Sequence, residues 1–270
     1  MAGLATGPRQ RRWTMGRPGT EVKPPSAILL ALEPRGLLSF PALLAAAPFL
    51  AAAPRGPRHA VIVLPGLGAD DRSTVVIRRF LSYLGYEVHG WKRGRNIRPP
   101  GADLPAMVEQ ILALYAATGS PVSLVGWSRG GIIAREAARQ VPHAVRLVIT
   151  LGSPFAAPHA SNVGLVWRRA TGSDFPAWTK EQSRQLAEPL PVPSTSIYSR
   201  SDGVVAWRAC REEEGPDREN VEIRTSHTGL GFHPAALWVI ADRLAQAPGT
   251  WKPFRPGPLV APFFPRPARP

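Results

Sequence analysis

The chain has 270 residues, 44% of them hydrophobic, which is enough for one sizeable core. Its 33 Lys+Arg against 19 Asp+Glu give a net charge of +14, yet no zinc-ligand set, RNA-binding aromatic pattern or basic helix accompanies that charge, so no specific nucleic-acid reader is expected. The one cysteine, Cys210, excludes an internal disulfide and fits a cytoplasmic setting; secretion is not excluded, and peripheral contact with an anionic membrane stays open.

In chain order, residues 1–25 are rich in Gly, Pro and Arg and are expected to be disordered. An apolar stretch over 27–53 follows, interrupted by Glu33, Pro34, Arg35, Gly36, Pro41 and Pro48. A membrane-spanning helix needs roughly 20 apolar residues with few breaks, so none is expected here. Residues 42–53 have the length of a signal-peptide apolar region, and Ala51-Ala52-Ala53 mimics a cleavage site. The long basic stretch before them and Pro54 after them argue instead for two short helices that cap or flank the core. Three parts are expected: residues 1–58, a basic tail plus short apolar helices; 59–254, the main domain; and 255–270, a Pro-rich tail.

Within the main domain, strand-like runs lie near 60–64, 86–91, 122–127, 146–151, 195–200 and 220–225. Helix-like segments lie near 73–84, 103–118, 131–140 and 234–246. Leu104, Val108, Ile111, Leu112 and Tyr115 recur at helical spacing and are read as core contacts. This alternation predicts an α/β fold: a mostly parallel central sheet with helices on both faces.

The most specific segment is Gly126-Trp127-Ser128-Arg129-Gly130-Gly131. It stands between the apolar run Val122–Val125 and the helical run Ile132–Ala138. A strand, a G-x-S-x-G turn and a helix in succession form an elbow that exposes the serine hydroxyl at the sheet edge. The strained turn needs small neighbours, which Gly126 and Gly130 supply. Ser128 is therefore the candidate nucleophile.

Such a serine needs a base and an orienting acid, in the order Ser, Asp or Glu, His. Asp202 follows the β-rich run 193–200 and precedes Gly203, though a plain turn Asp fits there too. His227 follows the run 220–224; His233, nearer the next helix, competes with it. Asp174 and Asp217 fit the acid role less well, the first in an irregular segment, the second in a charged loop. An acyl-transfer site also needs oxyanion donors. Pro65-Gly66-Leu67-Gly68 follows the first strand, so the backbone N–H groups of Leu67 and Arg129 are the candidates. A simple β-turn at 65–68 is the alternative.

These segments resemble the α/β-hydrolase superfamily on its lipase/esterase side. The resemblance runs over about 59–254 and includes Val61–Gly68, Gly126–Gly131, Thr150–Phe155, Tyr198–Val205 and Ser226-His227. Pro65 stands where a His often opens the oxyanion loop. Trp127 and Arg129 flank the serine in place of the more usual His and Met, Leu or Gln. The resemblance implies hydrolysis of carboxylic esters through an acyl-enzyme on Ser128, with His227 as base then acid and Asp202 as orienter. It implies no cofactor, and no metal-ligand spacing is visible.

The sheet is expected to be a reduced one, because two early antiparallel strands of the family have no counterpart here. The resemblance also places the insert at about 155–193 over the site as a cap. Trp167, Phe175 and Trp178 in it are read as pocket-lining or as cap packing, and Trp127, Trp167 and Phe155 are the candidate substrate contacts. The expected partner is a small-molecule or lipid ester. An acyltransferase or amidase using the same triad, or a non-catalytic basic protein bound to membrane or nucleic acid, are the alternatives.

Overall fold

The computed structural model describes residues 22–171, 174, 178–258 and 260–265. Residues 1–21, most of the segment expected to be disordered, and Phe175 lie outside the described residues.

Six strands form one sheet: β1 (Ala60–Leu64), β2 (Glu87–His89), β3 (Val122–Trp127), β4 (Val145–Leu151), β5 (Ser194–Tyr198) and β6 (Arg218–Glu222). The spatial order is β2-β1-β3-β4-β5-β6, and every neighbouring pair is parallel. Among the described residues no antiparallel strand joins the sheet, so it is the reduced, parallel form expected. Because β2 lies on one side of β1 and β3 on the other, the chain reverses its direction of travel between them. Side chains at such a switch point, beyond the carboxyl ends of the strands, face a natural crevice.

The residues explain why both faces are covered. All five residues of β1 are buried, as expected for a strand between two helical layers. Val61 and Val63 face one core with Ile77, Leu81, Leu237 and Ile240. Ala60, Ile62 and Leu64 face the other with Met107, Ile111, Ala134 and Ala137. That is the period-two alternation of a pleated strand. A fully buried Leu or Ile contributes about 1.5–3 kcal/mol through removal of apolar surface from water.

β5 is the exception in composition. Its Ser194, Thr195 and Ser196 are buried, and each hydroxyl finds an acceptor. Ser194 donates to Glu212 and Thr195 to Glu219 (both 2.9 Å), while Ser196 donates to the Cys210 carbonyl. β6 ends at Glu222, earlier than the run to 225 predicted. Past it Ile223 still donates to the Tyr198 carbonyl (2.8 Å). The Thr225 carbonyl instead accepts the Ser199 and Ser201 hydroxyls, so side chains replace the ladder there.

The apolar stretch at 27–53 folds as α1 (Ala27–Ala31), a 3-10 turn over Glu33–Leu38, α2 (Ser39–Ala45) and α3 (Ala47–Ala51). Leu50 and Ala53 enter the first core. Phe40 stacks on Phe232 at 4.4 Å and Phe49 on Trp238 at 4.3 Å. The sheet is flanked by α4 (Val75–Tyr83), α5 (Leu104–Thr118) and α6 (Arg129–Gln140). The insert after β4 carries α7 (Val163–Thr171) and α8 (Lys180–Ala187), and α9 (Pro234–Ala245) follows β6. No helix among the described residues is long and apolar enough to cross a membrane.

Candidate active site

Ser128 joins β3 to α6 with φ 54° and ψ −121°, one of two non-glycine residues with positive φ among those described. Such a conformation costs on the order of 1–3 kcal/mol and persists only where its surroundings enforce it. The Ser128 N–H donates to the Leu151 carbonyl at 2.7 Å, and the Ser128 carbonyl accepts from Gly131 at 3.0 Å. The glycines are sterically required. A Cβ on Gly126 would lie 2.3 Å from Gly131 Cα, and one on Gly130 would lie 2.5 Å from the Leu64 carbonyl oxygen. Gly131, not anticipated from the motif, leaves the room that Ser153 Oγ occupies: a Cβ would stand 2.0 Å from it.

The loop after β1 presses on the elbow, since a Cβ on Gly66 would be 3.3 Å from Ser128 Cβ. Asn96, fully buried, holds this loop from behind. Its side-chain amide donates to the Pro65 carbonyl (2.9 Å), its N–H donates to the Ala69 carbonyl (2.8 Å), and its carbonyl accepts from Gly68 (2.9 Å). Sequence reasoning missed Asn96; an Asn between charged and Pro residues carries no motif. Leu67, Ser128 and Arg129 share one cleft wall. Arg129 opens α6, where a backbone N–H has no partner within the helix.

Asp202 lies past β5 and His227 past β6, on the same sheet edge as Ser128. His227 Nδ1 and Asp202 Oδ2 are 2.6 Å apart. Asp202 Oδ1 accepts from the N–H groups of Val204 (2.8 Å) and Val205 (2.7 Å). The imidazole lies against Gly152, whose φ is 57°; a Cβ there would be 3.0 Å from Nδ1. The Ser128 N–H bonds to Leu151, the residue before Gly152, so the serine turn and the imidazole both lie against the end of β4. Burial pulls the His227 pKa down, but the Asp202 carboxylate, its hydrogen bond and the nearby Glu33 outweigh this and hold it above the usual histidine value.

Two of the competing residues use their side chains elsewhere. His233 caps α9, its Nδ1 accepting from Ala235 at 3.2 Å. Asp174 pairs with Arg168 at 2.5 Å, both exposed. The Asp217 carbonyl accepts from the Ser194 N–H.

A cleft of about 440 Å³ opens over Ser128, walled by Leu67, Ile132, Pro154, Val163 and Trp178 among others. A smaller cavity of about 170 Å³ adjoins it and shares Arg129, Ile132 and Trp178. The three expected substrate contacts are not in these walls. Phe155 is fully buried with the Arg135 guanidinium 3.8 Å over its ring; it supports the cleft from beneath. Trp127 packs against Gly231, its ring centroid 6.4 Å from that of His227. Trp167 is half-buried on α7, next to the cleft-lining Arg168. The aromatic that does line the cleft is Trp178. Among the described residues no group of three His, Cys, Asp or Glu side chains is arranged to hold a metal.

Residues 101–185, which contain the elbow and most of the insert, match the family described as PGAP1-like alpha/beta domain. No curated protein is significantly similar in sequence. Among solved structures, lipase B of Aspergillus fumigatus is 20% identical with a TM-score of 0.52 over 74% of this chain. The match takes in 58% of that protein, so this chain spans less than two thirds of its length. The mature lipase BlEst2 of Bacillus licheniformis is 15% identical with a TM-score of 0.55, covering 72% of this chain and 93% of that one. A pyrethroid hydrolase of Sphingobium faniae JZ-2 is 16% identical with a TM-score of 0.50, covering 72% and 100%. With its parallel sheet, its elbow at the switch point and these neighbours, the chain has the fold of the α/β-hydrolase superfamily.

Proposed function

We propose that this protein hydrolyses carboxylic esters through an acyl-enzyme on Ser128. The observation that carries the reading is the buried Asp202–His227 pair, 2.6 Å apart, on the sheet edge where the strained turn sets Ser128 in the cleft wall. Asp202 is acceptor-only when ionised, so it keeps the ring proton on Nδ1 and leaves Nε2 free as a base. His227 takes the Ser128 proton as Oγ attacks the ester carbonyl. The tetrahedral oxyanion is stabilised by the N–H groups of Leu67 and Arg129. His227 then gives the proton to the leaving alkoxide, and the C–O ester bond breaks. A water, deprotonated in turn by His227, releases the acid and restores Ser128.

Apolar Leu67, Ile132, Pro154, Val163 and Trp178 around the cleft support an ester with an apolar acyl part, either a small molecule or a lipid. The test is hydrolysis of a p-nitrophenyl ester series of increasing acyl length by wild type and Ser128→Ala. Saturable hydrolysis that falls by ~10³-fold or more in the folded S128A protein is expected. Equal turnover by the two proteins would overturn the assignment.

A further inference from the structure

The loops that carry Asp202 and His227 are joined by a residue that no hydrolase motif includes. Glu33, in the 3-10 turn between α1 and α2, is buried among them. One carboxylate oxygen accepts from the backbone N–H groups of Gly203 (2.7 Å) and His227 (3.0 Å). The other accepts from the Thr228 N–H (2.9 Å) and hydroxyl (3.0 Å). The Glu33 carbonyl accepts the Ser226 hydroxyl (3.2 Å), and Arg35 donates to the Ser201 carbonyl. The fit is close at both loops. A Cβ on Gly203 would lie 2.2 Å from the Leu29 carbonyl oxygen, and one on Gly36 would lie 2.5 Å from Ser226 Oγ.

We propose that Glu33 is a positioning residue of this active site: its carboxylate clamps the acid loop to the histidine loop and places a second negative charge behind the imidazole. The proposal rests on the reading of Ser128, Asp202 and His227 given above. A neutral partner could not replace the carboxylate, because three backbone N–H groups and a hydroxyl converge on it and only an ionised acid accepts from all four without presenting a donor. Burial by itself would push the Glu33 carboxyl up. The bonds from Thr228, Gly203 and His227, with the field of the imidazole, hold it below its usual value, so it is ionised at neutral pH. Among the described residues the charged groups acting on His227 are Asp202, beyond β5, and Glu33, on the N-terminal turn. Trp127, Gly152 and Leu230, which pack around the ring or the glycine beneath it, carry no charge. The turn over Glu33–Leu38 is thus tied to the loops of the proposed site.

Glu33→Gln keeps the shape and removes the charge. Its amide –NH₂ would face the Thr228 N–H, donor against donor. The experiment measures the rate at which an alkyl fluorophosphonate labels Ser128, from pH 5 to 9, in full-length wild type and E33Q, with thermal unfolding followed in parallel. The expected result is at least a tenfold lower rate at pH 8 in folded E33Q, with the acidic midpoint moved to lower pH, because the lost charge no longer favours the imidazolium. A clamp that served stability alone would lower the melting temperature and leave both rate and midpoint unchanged; that result overturns the proposal. Should E33Q not fold, Thr228→Val, which deletes one of the four bonds, decides: a rate lower by threefold or more supports the clamp, and an unchanged rate refutes it. Absence of labelling in wild type would instead refute the underlying triad, so the two failures are distinguishable.

Discussion

Replacing Asp202 by Asn should damage the reaction more than its small change in shape suggests, and the geometry says why. Oδ1 of Asp202 already accepts two backbone N–H groups, from Val204 and Val205, at 2.8 and 2.7 Å. In the amide, the oxygen has to stay with those donors, so the –NH₂ turns toward His227. It then meets Nδ1 as a donor, and the ring answers by carrying its proton on Nε2. An imidazole in that tautomer cannot take the Ser128 proton. The charge-assisted bond at 2.6 Å is also replaced by a neutral one. A wrong tautomer in a serine triad costs about 10⁴ in kcat, equivalent to roughly 5 kcal/mol of barrier. Asp202→Ala leaves the ring free to choose, so D202N should be at least as slow as D202A. The assay is steady-state ester hydrolysis, with unfolding curves to show that both variants are folded. A D202N protein with more than a tenth of wild-type kcat would refute the assignment of Asp202 as orienter.

Two further outcomes test the packing and the titration of the body. Gly130→Ala brings a Cβ to 2.5 Å from the Leu64 carbonyl oxygen and 2.7 Å from that of Pro65, at the end of interior strand β1 and in the loop that follows it. Overpacking of this kind costs about 1–3 kcal/mol, so the melting temperature should fall by several degrees; an unchanged value would contradict the close approach of elbow and strand. His59 is held neutral by burial, its pKa lowered to about 4 despite the bond to the Pro57 carbonyl. A folded-state pKa below the unfolded one means stability that is present above pH 6.5 and lost as pH falls toward 4, an amount of roughly 3 kcal/mol. Denaturant titrations across that window should show a shallower loss in His59→Gln than in wild type, and parallel slopes would contradict the assignment.

The parts of this site that could be read from the chain are those tied to local pattern. Ser128 announces itself because the elbow needs Gly126 and Gly130 within two residues and a strand and helix on either side. The parallel sheet follows from apolar runs such as Val61–Leu64, which bury both faces. Asp202 and His227 are visible as polar residues past strand ends, and their pairing is a matter of topology, because β5 and β6 are neighbours. What the pattern leaves out is long-range. Glu33 lies 194 positions before His227 and reads as a polar break in an apolar stretch, since nothing local shows that backbone donors await it. Asn96 clamps the loop after β1 through three bonds to residues 65–69, again with no signature of its own. Phe155 is a candidate substrate contact in the sequence, but it is buried under Arg135, and Trp178 of the insert takes the wall position.

We propose that Ser128 is a nucleophile activated by His227. The most direct test is labelling of the folded protein with an alkyl fluorophosphonate, followed by peptide mapping, in wild type and His227→Ala. The expected result is one modified residue, Ser128, with labelling slowed by ~10³-fold or more without the imidazole. Modification elsewhere, or labelling of Ser128 at an equal rate in both proteins, would contradict it.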